Sequence, residues 1–495
     1  INIITKSTKN RENVIYGYIG EQGIHNYTLT IAHTFSNKLS FAFTGGWRQT
    51  HKKGSLDSIY NIGEQDFYNT PVLNTKIEYE ISQDQKISLS NGYTHGNGGY
   101  PASPGDRRID RVKDWQTLFQ HLSYTNTTLR DATFNIKAGI FNVKQQNFKP
   151  YQAGNPEKYK IKGSRFYVEA NAVTKFFPKH TLVGGVVFQQ TNVNSIGFET
   201  NLFPDRKQSY GLFGVFFQDE YKISKPMTLT TSLRYDSYND IKDKLTARGN
   251  LMYSFDDKNA LRFSLGESYR RPDIYVMHYY VDFGGGGYFR GGGFDLPYQK
   301  AMNYELEYRT QIIPDHVFKV ELFRSKFENL YSYQTLIDPL RIRRIGSDNK
   351  YVMKGFILEI EGSPWEKLFK WYANYTYYNA KNITANLAMT DIPDYMLNIG
   401  FQIFPVKNLY ISMDAHFQDG FSAVVDPSIT ENVTGLPHGS SVKAFGTVDS
   451  NIDFSPHKNI ELSISIENLL NNQHYEFPIH FKRGRTVYGG IRIAW

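Results

Sequence analysis

Residues 284–293 read GGGGYFRGGG, so that Tyr288, Phe289 and Arg290 stand between Gly284 to Gly287 on one side and Gly291 to Gly293 on the other. Two rings beside a guanidinium form an aromatic and cationic tip, able to stack on a ligand and to offer it a planar fork of donors. Glycine, lacking a Cβ, leaves both flanks with little backbone restriction. The stretch reads either as a lid that closes over a ligand or as a solvent loop with no ligand role. Arginines cluster twice more, at Arg107, Arg108 and Arg111 and at Arg341, Arg343 and Arg344. Such groups hold anions through charge-assisted hydrogen bonds, or are ordinary solvated charge. The clusters are short and belong to no recognition fold, and the net charge of +8 is spread among acidic residues, so nucleic acid is not an expected partner. The chain has no Cys, which removes thiolate metal sites, thiol nucleophiles and disulfides together. No Ser, His and Asp set converges, and the carboxylates lack metal-ligand spacing. The expectation is therefore a binding protein and not an enzyme, with no catalytic residue, no metal site and no cofactor.

The elements that must position these groups are read from periodicity. The chain carries 36 Tyr and 35 Phe, yet its mean hydropathy is negative, so many rings are presented without a continuous apolar core. Nearly every segment alternates with period two. Leu39, Phe41 and Phe43 oppose Ser40, Ala42 and Thr44; Ile460, Leu462, Ile464 and Ile466 oppose Glu461, Ser463, Ser465 and Glu467. Pro, Asp, Asn and Ser mark short turns at 36–38, 82–85, 129–132, 177–180, 223–226, 255–258, 313–316, 363–367, 404–407 and 455–458. Between successive turns lie a strand, a longer loop and a returning strand, with the longest loop expected at 270–298 and another between strands 316–328 and 351–361. The first strand is expected from residue 12 and the last at 485–495. No stretch approaches the length of a spanning helix.

Placing short connections at one end and most long ones at the other is what a transmembrane barrel requires. One side of each strand meets lipid and the other a wet lumen, and closure satisfies the backbone. The fold predicted is all-β, a 22-stranded antiparallel outer-membrane β-barrel, a size at which such barrels carry a plug in the lumen.

The final strand, RTVYGGIRIAW, places Tyr488, Gly490, Ile493 and Trp495 as in the assembly signal of outer-membrane barrels, although a plain terminal strand with an interfacial Trp has a similar look. Resemblance then broadens. FQDEYKISKPMTLTTSLRYDSY carries Arg234, Tyr235 and Asp236, and LRFSLGESYRRPDIYV carries Tyr269, Arg270, Arg271 and Pro272. AMNYELEYR follows, and the last hairpin holds Asn468, Leu469 and Tyr475, then Gly484 and Arg485. In order and spacing these segments resemble the β-barrel domain of TonB-dependent outer-membrane receptors. Arg271 departs from the family's usual Ala, and the Asn-Pro-Asn-Leu often found before AMNYELEYR is absent.

The resemblance implies energised import of a scarce bulky nutrient: a ferric siderophore, haem, cobalamin or an oligosaccharide. It implies a TonB–ExbB–ExbD motor acting on an N-terminal box, and a Gram-negative outer membrane with its lipopolysaccharide. Both arginine clusters would lie outside, facing an anionic ligand, lipopolysaccharide phosphates or water. His278 falls where haem receptors of the family tend to place an axial ligand, against an incidental interfacial His; His95 and His474 also lie at or near loops. INIITKST resembles the end of the family's plug, with Asn2, Ile3, Ile4, Thr5 and Lys6 in order. Residues 1–11 are thus expected to be the C-terminal end of a plug and its hinge, residues 12–495 the barrel, and the remaining plug upstream. Alternative readings are a plugless pore or secretion channel, and a scaffold for surface lipoproteins.

Overall fold

The computed structural model describes the chain except for residues 1–6, 10, 53–65, 101–110, 150–156, 197–205, 273–279, 285–286, 291–295, 338–341, 366–367, 390–391, 423–440, 478–479 and 483. Its wall is a closed antiparallel barrel of 22 strands. In the first half they span Val14–Gly20, Ile24–Thr34, Leu39–Lys52, Asp66–Ser82, Gln85–Tyr100, Arg111–Asn126, Ala132–Lys149, Glu157–Thr174, His180–Ile196, Arg206–Lys222 and Met227–Tyr238. In the second they span Lys244–Ser254, Asn259–Arg270, Gln299–Thr310, His316–Ile337, Ile342–Trp365, Phe369–Asn382, Tyr395–Val406, Leu409–Gln418, Phe445–His457, Ile460–Glu467 and Thr486–Ala494. Each pairs with its neighbours in the chain, and the last closes on the first, from Val14 opposite Ala494 to Gly20 opposite Tyr488. Closure leaves no free edge, so the ladder satisfies the wall's amides and carbonyls without water.

Alternation decides which face each side chain takes. Leu73, Ile77, Phe188, Phe213, Phe217, Leu233, Phe263, Leu322 and Ile464 are all exposed on the outer face. A soluble monomer rarely shows so large an apolar belt; here hydrocarbon covers it. Their sequence neighbours point inward and include charged residues: Glu78 on one side of Ile77, Arg234 beside Leu233, Arg262 beside Phe263.

Among the described residues the short turns fall at one end of the barrel, at the stretches whose Pro, Asp and Asn content favours turning. The left-handed backbone of Asp131 (φ 63°) and Asp315 (φ 59°) lies in two of them, a region Asp tolerates better than most residues. The loop end departs from expectation in three ways. The loop foreseen between 328 and 351 is largely strand: His316–Ile337 and Ile342–Trp365 remain paired as far as Ile337 opposite Ile342. Beyond the membrane water wets both faces, so pairing continues without the apolar alternation that reveals a strand. Two connections at that end are short, Glu21–Gly23 and residues 239–243. The stretch foreseen as a glycine-rich loop contains a hairpin, Tyr280–Gly284 with Gly287–Arg290.

Candidate ligand-binding mouth

The rim of the barrel is uneven. Strands between Gln85 and Lys222 run to 16–18 residues, whereas Met227–Tyr238, Lys244–Ser254 and Asn259–Arg270 have only 11–12. The wall therefore dips at 239–243, and the connection 271–298 is rooted over this dip.

Both roots are pinned. Arg271 forms an ion pair with Asp240, donates to the Pro272 carbonyl at 2.8 Å, and lies 3.9 Å over the Tyr210 ring. Its side chain is 9% exposed, so its charge is neutralised and stacked rather than offered to water. At the other root Leu296 and Tyr298 are buried, and the Tyr298 hydroxyl donates to the Lys242 carbonyl. Burial pushes the Tyr298 phenol above its ordinary range, which keeps it a donor. Beneath both roots sits Asp236, 2% exposed. It accepts two bonds from Arg234, at 2.8 and 2.7 Å, and one from the Tyr269 hydroxyl at 2.6 Å. Tyr238 meets Tyr269 hydroxyl to hydroxyl at 3.2 Å, and the Tyr269 and Tyr298 rings cross edge to face at 5.0 Å. This network ties three strands and two loops into one unit; a buried carboxylate is tolerable only because every bond it accepts is charge-assisted or short.

From these roots the hairpin reaches the next tall element. Phe289 and Arg290 pair in parallel with Arg343 and Arg344. Phe289 and Arg290 of the tip and Arg343 and Arg344 of the second arginine cluster, separate in the sequence, thus stand side by side on adjacent strands. Arg343 and Arg344 belong to the strand Ile342–Trp365 and not to a loop. Tyr288 pairs with Asp282 within the hairpin. Arg111 opens the strand Arg111–Asn126, opposite Tyr100. Arg107, Arg108, Arg341 and His278 lie outside the described residues. His95 projects from the outer face, with Nε2 2.9 Å from Asp114, and His474 stacks on Phe445 at 3.9 Å. Among the described residues no group of three or more His, Asp or Glu is placed to hold a metal ion.

A second site lies inside, near the turn end. Thr8 is 1% exposed and Glu78 4%. One Glu78 oxygen accepts from the Thr8 amide at 2.6 Å, the Thr8 hydroxyl at 2.7 Å and the Ser7 hydroxyl at 2.9 Å. The other faces Lys86 at 2.7 Å and Lys76 at 3.1 Å. Lys9 pairs with Glu80 at 2.5 Å. Residues 7–9 are thereby fastened to the inner wall. Sequence reasoning missed this clasp and the role of Arg271. The only signal for either was an acidic residue on the lumen face of an otherwise ordinary strand, and an Arg where a small residue is usual.

At the seam, Tyr488 donates to Glu467 at 2.7 Å and crosses the Tyr18 ring at 5.9 Å, inside the barrel. Ile493 and Trp495 are exposed outside. Gly490 sits opposite Tyr18, and the Trp495 amide bonds to the Asn13 carbonyl at 3.0 Å.

The family model described as TonB dependent receptor-like, β-barrel, matches residues 5–469. No curated protein matches the chain in sequence. In three dimensions it is similar to the ferric enterobactin receptor PfeA of Pseudomonas aeruginosa, with a TM-score of 0.82 and 13% identity over 98% of this chain and 80% of that one. It is similar also to the ferric-catecholate import receptor Fiu of E. coli K12, at 0.80 and 12% over 100% and 83%. A third likeness, at 0.80 and 12% over 98% and 83%, is to the copper transporter OprC. These likenesses carry the fold; the family match spans nearly the whole chain. The closed wall, its lipid-facing belt and that match together establish that the chain belongs to the TonB-dependent receptor β-barrel family, a transporter of the outer membrane that imports a nutrient with energy from the TonB system.

Proposed function

We propose that the imported nutrient is an anionic ferric chelate of the catecholate class. The observation that carries this reading is the parallel pairing of Phe289 and Arg290 with Arg343 and Arg344. Three arginines and an aromatic residue thus lie side by side on two adjacent strands at the loop end, which supports the reading. A ferric tris-catecholate carries net negative charge and aromatic faces, and arginine meets both, by charge and by stacking. Receptors named for ferric enterobactin and for ferric catecholates have this fold, but so does a copper transporter. The choice therefore rests on that strand pairing and not on likeness. Residues 1–11 are read as the end of a plug and its hinge, supported by the clasp of Ser7 to Lys9 on the inner wall. The surface lipoprotein weighed from the sequence forms no part of this reading.

The test is binding of a ferric tris-catecholate to the purified receptor, followed by tryptophan fluorescence, in the parent and in R290A/R343A/R344A. Each lost charged hydrogen bond is worth about 1.5–3 kcal/mol, so binding should weaken by at least about tenfold. A neutral ferric hydroxamate should bind poorly to both. Equal affinity of parent and variant for the catecholate refutes the assignment.

A further inference from the structure

Away from the mouth, the outer face between Gln85 and Lys222 is ordered in cross-strand rows. The row Ala138, Val168, Phe188 and Phe213 runs opposite one another across four strands and is apolar. Four residues nearer the loops comes a row of amides and hydroxyls, Asn142, Ser164, Asn192 and Ser209. The next row is Lys144, Lys162, Asn194 and Lys207. Because strand faces alternate, all three rows share the outer face on which Phe188 and Phe213 are exposed. From Phe134, the first large apolar outward residue of its strand, Lys144 is ten positions on. At about 3.3 Å per residue and a tilt of about 45° that is roughly 23 Å of height. The apolar band of such barrels is about 25 Å tall, so the lysines stand at its loop-side edge.

Two features make this more than scattered surface charge. Lys144 and Lys162 are directly opposed in the ladder, where like charges repel. None of the three lysines has an acidic partner among the described residues, although acid–lysine pairs are common on the inner wall. The lysines also border a concavity of about 640 Å³, with Tyr93, Leu118 and Asn142 on its membrane side. Adjacent strands lie about 4.8 Å apart, so the three ammonium stems span some 15 Å, enough to face one or two phosphates.

We propose that this concavity is a headgroup site for a phosphorylated glycolipid of the outer leaflet. The lysines hold its phosphates, and the amide and hydroxyl row meets its sugar and ester oxygens. Its acyl chains lie on the apolar rows below, where an anion free in solution has nothing to bury. This rests on the outer-membrane location, not on the identity of the imported ligand, so uptake and lipid binding fail independently.

The experiment is native mass spectrometry of the detergent-purified full chain with bis-phosphorylated lipid A, its dephosphorylated form and phosphatidylglycerol. Parent protein should retain one bis-phosphorylated lipid A preferentially, and K144Q/K162Q/K207Q should bind it about a hundredfold more weakly. K144R/K162R/K207R should retain it, and K38Q/K225Q/K258Q, altered only at the turn end, should match the parent. Heat-modifiability on gels confirms that every variant is a closed barrel. Equal binding of the dephosphorylated form, retained binding by the glutamine variant, or an equal loss in the turn-end variant overturns the proposal. Phosphatidylglycerol bound as tightly as lipid A overturns the assignment to a glycolipid.

Discussion

Replacing Glu78 with Ala should release residues 7–9 from the inner wall. In the parent one carboxylate oxygen holds the Thr8 amide, the Thr8 hydroxyl and the Ser7 hydroxyl, and the other holds Lys86 and Lys76. Hydrogen bonds to a charged group contribute about 1.5–3 kcal/mol each and are not additive. Removing one partner of a buried charged network costs about 3–5 kcal/mol, much of it from the charges left unpaired. Lys86 is partly exposed and recovers water, so the lower end, about 3 kcal/mol, is the expectation. Exchange of the Thr8 amide passes through the released state, so 3 kcal/mol corresponds to about a hundredfold faster exchange. E78Q keeps an acceptor for the amide but loses attraction for both lysines, and should fall between parent and E78A. Hydrogen–deuterium exchange of the barrel in detergent, read on a peptide covering Thr8, measures this. Unchanged exchange of that peptide in E78A would refute the clasp, and with it the reading of residues 7–11 as a hinge held at the wall.

Three further outcomes follow from the same structure. R271A leaves Asp240 without its cation and Tyr210 without its stacked partner, at a cost of about 2–4 kcal/mol; exchange should rise at 239–243 and at 296–298 while the wall's central strands keep their protection. A Cβ at Gly355 would come 1.9 Å from the Tyr377 carbonyl oxygen, whereas one at Gly249 meets nothing within 4 Å; G355A should cost about 1–3 kcal/mol or more and lower the melting temperature, with G249A near neutral. In the turn at 255–258, bonds from the Asn259 side chain and from the Lys258 and Asn259 amides hold the Asp256 carboxyl below the ordinary aspartate range. With a folded value lower than the unfolded one, that turn's contribution is present above the ordinary aspartate range and is lost as pH falls through the depressed value. A carboxyl NMR titration should give a midpoint below the ordinary aspartate range, and a midpoint within or above it would contradict the turn's geometry.

The wall was legible because a membrane barrel writes its constraints residue by residue. Lipid on one face and water on the other force the alternation of Leu39, Phe41 and Phe43, and tight turns demand residues such as the Pro and Asp of 313–316. Those demands end where the membrane ends. Past Glu328 both faces are wet, so the hairpin up to Ile337 gave no alternating signal and read as loop. Contacts that depend on register were equally hidden. That Lys144 faces Lys162, or that Arg290 meets Arg344, follows from strand stagger and loop folding, which local spacing does not encode. Arg271 was visible as a departure from the family pattern, but its partner Asp240 lies on another loop, in a short polar stretch with nothing to single it out. His278, Arg107, Arg108 and Arg341 remain expectations from the sequence alone.

The most direct test of TonB-driven import of an anionic ferric chelate is accumulation of iron-radiolabelled tris-catecholate by cells whose only catecholate receptor is this one. Accumulation should proceed with an intact TonB system and an inner-membrane proton gradient, and fall to surface-binding background when either is removed. Uptake that continues without TonB, or that never exceeds the background, would contradict the account.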